Sequence, residues 1–107
     1  MTYLLKHAPG DGAGAPVVLR SPDDTAYPRP CVGTVYVQGA LDGGTVTVEV
    51  SADGQAWHTT DALTLNAPGI VNLNVFAAHI RAVLSGSGPA ADVSVILLSS
   101  HFAGGVA

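Results

Sequence analysis

The chain has 107 residues, one cysteine and a formal net charge of −4 at pH 7. Its length is typical of a single domain, and its single cysteine excludes an internal disulfide and a zinc site built on cysteines. Its four Lys and Arg residues are too scattered to form the cluster of cations that nucleic-acid binding needs against phosphates.

The first 30 residues differ in composition from the rest of the chain. Two Gly/Pro-rich segments, 7–16 and 21–30, flank a short apolar run at 17–20, and proline lacks the backbone donor that a central strand needs. We therefore predict an N-terminal arm and edge segment over residues 1–30, whose restricted backbone loses little entropy when it docks on a neighbouring subunit. A loosely packed terminus is an equally good interpretation of residues 8–16.

The apolar stretches of the chain are short. Only two consecutive leucines precede Lys6, which predicts no signal peptide. The most apolar late stretch, residues 93–100, is far shorter than the roughly 20 residues of a membrane span. We expect a soluble protein that is made in a reducing cytoplasm and has no membrane partner.

From Cys31 onward the sequence alternates with a period of two. In TVTVEVS (45–51), three valines share one face, as in a half-buried strand, whereas helical spacing would scatter them around the axis. GTVYVQGAL (33–41) alternates in the same way, and both runs are rich in β-branched residues. The LDGG stretch between them contains Gly43 and Gly44, which tolerate the positive φ of a tight hairpin turn. We therefore predict that the two strands are antiparallel neighbours.

Further short strands follow, with turn signals at intervals of about 8–12 residues, as in all-β sandwiches and barrels. VFAAHIRAVL (75–84) is the only helix candidate and is also interpreted as strand. The sequence predicts an antiparallel β-sandwich or flattened barrel of about seven to eight strands over residues 31–107. The further predicted strands are AWHTT (56–60), ALTLN (62–66), GIVNLNVF (69–76), HIRAVLSG (79–86) and VSVILLSS (93–100). The predicted core residues are Val46, Val48, Val50, Ile80, Leu84, Val93, Val95 and Leu97.

Two Asp-Gly pairs, at Asp42 and Asp53, are the most suggestive polar motifs. The second, in SADGQAW, resembles half of a calcium loop, but a complete EF-hand loop ends in a bidentate glutamate and no carboxylate closes this one. Aspartate and glycine are also preferred turn residues. We predict that both aspartates are turn corners and not metal ligands.

No catalytic constellation stands out elsewhere. The four histidines lie far apart in the sequence, no Gly-x-Ser-x-Gly nucleophile motif is present, and no spaced pair of carboxylates suggests acid–base chemistry. Asp23 and Asp24 are interpreted as a solvated cap in a Pro-rich loop, and Cys31 as a small buried hydrophobe. We therefore predict no catalytic, cofactor-binding or metal-binding residues and no enzymatic activity.

The aromatic residues suggest an alternative function. Trp57 together with Tyr36 and Tyr3 would form a flat platform of the kind that carbohydrate-binding modules use for sugars. However, aromatic residues make up only 6% of the chain, and Trp57 directly follows a turn, where anchoring the loop is the commoner role. An exposed Trp57 would favour carbohydrate binding.

Residues 39–97 resemble a recurring structural module of tailed-bacteriophage proteins. The resemblance rests on an Asp-Gly hairpin that ends in tryptophan (39–57), a strand led by glycine (69–76), a strand that runs into Ser-Gly (80–88) and a final apolar strand. It implies a small non-enzymatic virion structural protein, most specifically a capsid decoration (cement) protein on the outer surface of the major capsid lattice. A neck, collar or tail component, and a carbohydrate-binding or adhesin-like sandwich on the virion surface, are the alternatives that it leaves open.

Sparse charge supports an assembly role. Only 11% of residues are charged, against about 25% in an average domain, and low charge promotes association. We therefore expect a homo-oligomer, with a trimer favoured as a closed ring, made in the host bacterial cytoplasm and located on the virion. The expected partners are the major capsid protein or other virion proteins. A small thermostable domain with a neutral polar coat is the alternative.

Overall fold

The computed structural model describes residues 2–18, 31–59, 61–75 and 77–99. These ranges contain no α-helix; they contain nine β-strands and a single 3-10 turn at Asp61–Leu63. In chain order the strands are β1 (Thr2–Ala8), β2 (Gly12–Ala13), β3 (Val17–Val18), β4 (Cys31–Ala40), β5 (Thr45–Ser51), β6 (Thr64–Leu65), β7 (Gly69–Val75), β8 (His79–Ser85) and β9 (Asp92–Ser99).

The strands form two antiparallel sheets around one hydrophobic core. The first sheet has the order β1–β9–β4–β7. In the second sheet β8 and β5 are central, β6 pairs with β5, and the short strands β2 and β3 both pair with β8. The predicted antiparallel β-sandwich is therefore confirmed.

Paired chain segments continue from one sheet into the other. β4 and β5 together run antiparallel to β9 and β8: Ala40 pairs with Asp92 where the first sheet ends, and Thr45 pairs with Ser85 where the second begins. Strands β1 to β3 follow the other side of β9 and β8, and strands β7 and β6 follow the other side of β4 and β5. The fold is thus an antiparallel ribbon of four segments bent double, which is the strand arrangement of a jelly roll.

A tight turn does form at LDGG, but it does not join neighbouring strands. Asp42 and Gly43 both adopt positive φ, 50° and 81°, and the N–H of Gly44 donates to the carbonyl of Leu41. Because β4 and β5 leave this turn into opposite sheets, the predicted hairpin pairing between them is wrong. Their pairing partners, β9 and β8, bend at the same end, where the N–H of Gly88 donates to the Asp42 carbonyl over 2.9 Å. The turn is therefore a corner between sheets.

Residues 2–18 form edge strands of the sandwich, in agreement with the predicted edge segment, and they do not extend from it as an arm. Leu4 is 2% exposed and lies in the core, and β2 and β3 form an edge of the second sheet. Glycine and proline in this segment lie where the chain crosses between the sheets, at Pro9 and Gly10, and in the gap between β2 and β3, at Pro16. Their abundance therefore reflects an interrupted edge strand with a sharp bend.

Some sequence predictions concern parts of the chain outside the described residues. They are the remainder of the proposed arm at 19–30, with the cap at Asp23 and Asp24, the burial of the Cys31 side chain, and the position of His101.

The alternation of valines and leucines predicted the core register correctly. All the predicted core residues except Val50 are at most 1% exposed. Val50 is half-buried and packs against the core from its margin. It lies near the end of β5, where one side of the strand still pairs with β8 but the other side has only the isolated bridge to His58. The helix candidate at 75–84 is resolved in favour of strand, since β8 begins at His79.

Residues 56–66 form less strand than predicted. AWHTT contributes only the bridge between His58 and Val50, and ALTLN forms the 3-10 turn followed by the two-residue strand β6. Leu63, at the end of the 3-10 turn, is 8% exposed and joins the core. The chain thus bends inward to bury this leucine, and it cannot continue a regular ladder along β5.

Candidate interaction surface

Most of the outer face of the first sheet is uncharged. Its outward positions alternate with core residues along β1, β4, β7 and β9, and the charged ones, Lys6 on β1 and Asp92 at the start of β9, lie at the rim. We call the uncharged set the neutral face; its members are Tyr3, Val32, Thr34, Tyr36, Gln38, Ile70, Asn72, Asn74, Ser94, Ile96 and Leu98.

A row of large apolar and aromatic side chains crosses the middle of the neutral face. Tyr3 pairs with Ile96, Ile96 with Tyr36, and Tyr36 with Ile70, so the row spans all four strands. Directly paired side chains on one face of an antiparallel sheet lie about 5 Å apart and contact one another. The row is therefore a continuous apolar band on the surface.

This face holds most of the exposed large hydrophobic side chains found in the described chain. Ile70 is 57% exposed, Leu98 44%, and Tyr3 and Val32 38% each. The fifth such residue, Val18, lies on the edge strand β3 of the other sheet. Single exposed apolar residues are normal, but a contiguous set on one flat face is typical of an interaction surface.

Charges lie at the rim of the neutral face. The Nζ atom of Lys6 lies 5.2 Å from the centroid of the Tyr3 ring. The Nδ1 atom of His7 lies 3.0 Å from Oδ1 of Asp92, with both side chains largely exposed. A polar, charged rim around an apolar centre is the usual anatomy of a protein–protein interface.

The outer face of the second sheet is built differently, because a cluster of side chains covers it. The Arg81 guanidinium lies over the Trp57 ring, 4.2 Å from its centroid, and the Nε–H of Arg81 donates to Oε1 of Glu49 over 2.8 Å. All three side chains are partly buried. Arg81 therefore ties the loop that carries Trp57 onto the sheet through a cation–π contact and an ion pair.

This arrangement contradicts an aromatic platform made of Trp57, Tyr36 and Tyr3. The two tyrosines lie on the neutral face, whereas Trp57 lies on the opposite side of the sandwich with one ring face covered by Arg81. A sugar-stacking site needs free ring faces on one surface. Trp57 instead anchors the 52–59 loop, the second of the two roles that its sequence position suggested.

The aspartates of both Asp-Gly pairs lie in turns and accept backbone hydrogen bonds. Oδ1 of Asp53 accepts from the N–H groups of Gln55 and Ala56, over 2.8 and 3.0 Å, and from the hydroxyl of Ser51. These donors, led by Ala56, hold the pKa of Asp53 below its usual range. Oδ2 of Asp42 accepts from a backbone N–H of the facing β8–β9 loop over 2.8 Å. Both carboxylates are thus engaged in shaping the chain.

Asp11 is a second corner aspartate, which the sequence did not single out. Its carboxylate accepts from the N–H and the hydroxyl of Ser87 and from the N–H of Gly86, and the Ser87 hydroxyl is the first cause of its lowered pKa. Asp11 and Asp42 therefore hold the β8–β9 loop from its two sides. The role of Asp11 depends on the pairing of β1–β3 with β8–β9, which the local sequence does not reveal.

The histidines do not form a metal-binding cluster in the part of the chain that the structure describes. There, no three His, Cys, Asp or Glu side chains lie close enough together to hold a metal ion. The Nδ1 atom of His79 is buried without a hydrogen-bond partner, and its ring lies against Gly54 of the 52–59 loop.

Comparisons with known proteins provide no relative. No protein-family model, curated protein or solved structure matches the chain. Among the described residues there is also no helix with the length and apolar character needed to span a bilayer. The surface of the sandwich itself therefore has to indicate the function.

Proposed function

We propose that this protein is a non-enzymatic structural component of a bacteriophage virion, most specifically a capsid decoration protein that docks through its neutral face. The observation that carries the proposal is the largely uncharged outer face of the first sheet, with its apolar row and its exposed hydrophobic side chains. The occupant of the face is the outer surface of the major capsid lattice.

Physical chemistry supports a protein lattice as the partner. A flat sheet face has no concave pocket for a small ligand. Burial of its apolar area can still drive protein–protein association, because the hydrophobic effect does not require directional contacts. Lattices also offer many copies of one site, so that weak contacts gain strength through avidity. The charged rim at Lys6 and Asp92 supplies orientation around an apolar centre.

The phage assignment rests on the resemblance of residues 39–97 to a tailed-phage module. The jelly-roll strand order is compatible with it, because viral capsid proteins and lectins both use this architecture. Since one architecture supports many functions, the surface must decide between them. The coverage of Trp57 by Arg81 favours the structural role over sugar binding.

The test is co-sedimentation of the purified protein with expanded phage heads that lack it. Leu98→Lys places a charge on the neutral face, on the interior strand β9 opposite Thr34, and is expected to weaken binding at least 10-fold. Val18→Lys is the matched control, because Val18 is similarly exposed (52% against 44% for Leu98) and lies on the other sheet. Equal binding by both variants, or no binding by the unchanged protein, would refute the proposal.

A further inference from the structure

We infer that the edge of β7 is a self-association site, at which a second copy of this chain adds its own β7 antiparallel and extends the first sheet from four strands to eight. The inference goes beyond the proposed function and does not depend on it, because it concerns how copies join each other and not what they bind.

Three of the four sheet edges in the described chain are protected against such pairing. An open edge presents unpaired N–H and C=O groups, and proteins block it with bulges, lysine, proline or very short strands. β1 has register shifts on both sides of Leu5 and carries Lys6. β2 and β3 have two residues each with Pro16 between them, and β6 also has two.

The fourth edge, β7, has no bulge, lysine or proline within it and is not short. It runs for seven residues in continuous register with β4, from Cys31 paired with Val75 to Val37 paired with Gly69. No described strand pairs with its other side, and residues 62–75 contain no charged side chain. Alternate residues of an antiparallel edge strand direct their backbone groups away from the sheet, and these groups are available to a further strand.

A second copy fits this edge better than a charged partner does. The chain carries a net charge of −4, so two copies repel each other in general, but an uncharged edge brings them together where no like charges meet. A symmetric contact of this kind uses the same surface on both subunits, and strand addition supplies main-chain hydrogen bonds.

The register of the pair follows from symmetry and length. Placing the two-fold axis at Asn72 pairs all seven residues of β7, with Asn72 opposite its own copy. On the outer side Ile70 then lies opposite Asn74, and on the inner side Val71 lies opposite Leu73. Val71 and Leu73 are 5% and 2% exposed, so they are already buried within each copy, and the contact between copies rests on main-chain pairing and on the outer side chains.

Pairing of this kind closes at two copies, because each β7 edge is consumed by the other. It also joins the two neutral faces into one surface of twice the width. A trimer, which the composition favoured, would need a different contact and would leave every β7 edge open.

The first experiment measures molar mass by light scattering over a range of concentrations. We expect a dimer whose dissociation constant rises at least 10-fold in Asn72→Lys, which sets two lysines opposite each other at the axis. Gln38→Lys is the control: Gln38 is also exposed on the neutral face, but it lies on the interior strand β4, and the dimer should persist. A monomer, a trimer, or a dimer that tolerates Asn72→Lys would overturn the inference.

The second experiment tests the register without disturbing the fold. In a chain with Cys31→Ser, the variant Asn72→Cys should oxidise to a covalent dimer, whereas Asn74→Cys, displaced from the axis, should not. Equal cross-linking by both variants, or by neither, counts against the inference. A monomeric protein that still binds phage heads would reject β7 pairing and leave the proposed function intact.

Discussion

The two outer faces of the sandwich differ in how their apolar side chains are covered. Each is the solvent side of an antiparallel sheet, and each has apolar side chains among its outward positions. The second sheet covers its face with part of its own chain, through the contact of Arg81 with Trp57 and Glu49. The first sheet leaves the row from Tyr3 to Ile70 uncovered.

This difference shows how the sparse charge of the chain is distributed. Charged groups in the described chain serve the covered face, the rim, the turn at Asp53 and the corner, where Asp11 and Asp42 bind the β8–β9 loop. None of these groups lies within the neutral face. The scarcity of charged residues therefore falls mainly on one face of the sandwich, and this face remains available to a partner.

The largest effect expected of a single substitution tests whether one side of β1 packs in the core while the other lies on the neutral face. Leu4→Ala should lower the free energy of unfolding by about 2–5 kcal/mol, since it removes a fully buried side chain and leaves a cavity. The adjacent Tyr3→Ala, on the neutral face, should cost far less. Urea unfolding of both variants measures the difference. Equal losses would mean that β1 does not separate the two sides as described.

Deletion of the N-terminal segment tests whether it is a docking arm or a part of the sandwich. If residues 1–16 were a docking arm, their deletion would leave the sandwich folded. Because β1 and β2 pair with β9 and β8, deletion should instead abolish cooperative unfolding.

The next largest loss of stability is expected from changes at Asp42, in the corner between the two sheets. Asp42→Ala loses the carboxylate that accepts from the β8–β9 loop and forces alanine into positive φ, so we expect a loss of about 1–3 kcal/mol. Asp42→Asn keeps an acceptor oxygen and tolerates this φ, and should cost less. Asp42→Gly relieves only the backbone and should be intermediate. Equal free energies of unfolding for the three variants and the unchanged protein, measured by chemical denaturation, would show that the corner needs neither the acceptor oxygen nor a residue that tolerates positive φ.

Sequence periodicity was sufficient for the core but not for the topology. Alternation along β5, β8 and β9 identifies inward residues such as Val48 and Ile80 because side-chain direction is a local property of a strand. Whether the LDGG turn joins neighbours or crosses between sheets depends on partners more than 40 residues away, at Gly88 and beyond. Local turn chemistry is the same in both cases.

The candidate surface was only partly predictable for a related reason. The sequence places Ile70 on the polar side of its strand, but Tyr3 lay in a presumed arm and Leu98 in an apolar run without clear alternation. Only the register, which sets Tyr3, Ile96 and Tyr36 side by side, assembles them into one face. Sparse charge indicated that such a surface exists, without locating it.

The smallest expected effect is a response to acid at the covered face. The pKa of Asp53 is lowered by the backbone N–H groups of Ala56 and Gln55, so its ionised form stabilises the turn that leads to Trp57. This contribution is complete above the unfolded-state pKa of about 3.9 and is lost as the pH falls through the lower folded-state value.

The fluorescence of Trp57, the only tryptophan, should therefore change in acid before the sandwich unfolds. Asp53→Asn should remove this early change and leave the main transition. An early fluorescence change that survives in Asp53→Asn would assign it to another group and remove Asp53 as the acid-sensitive support of the covered face.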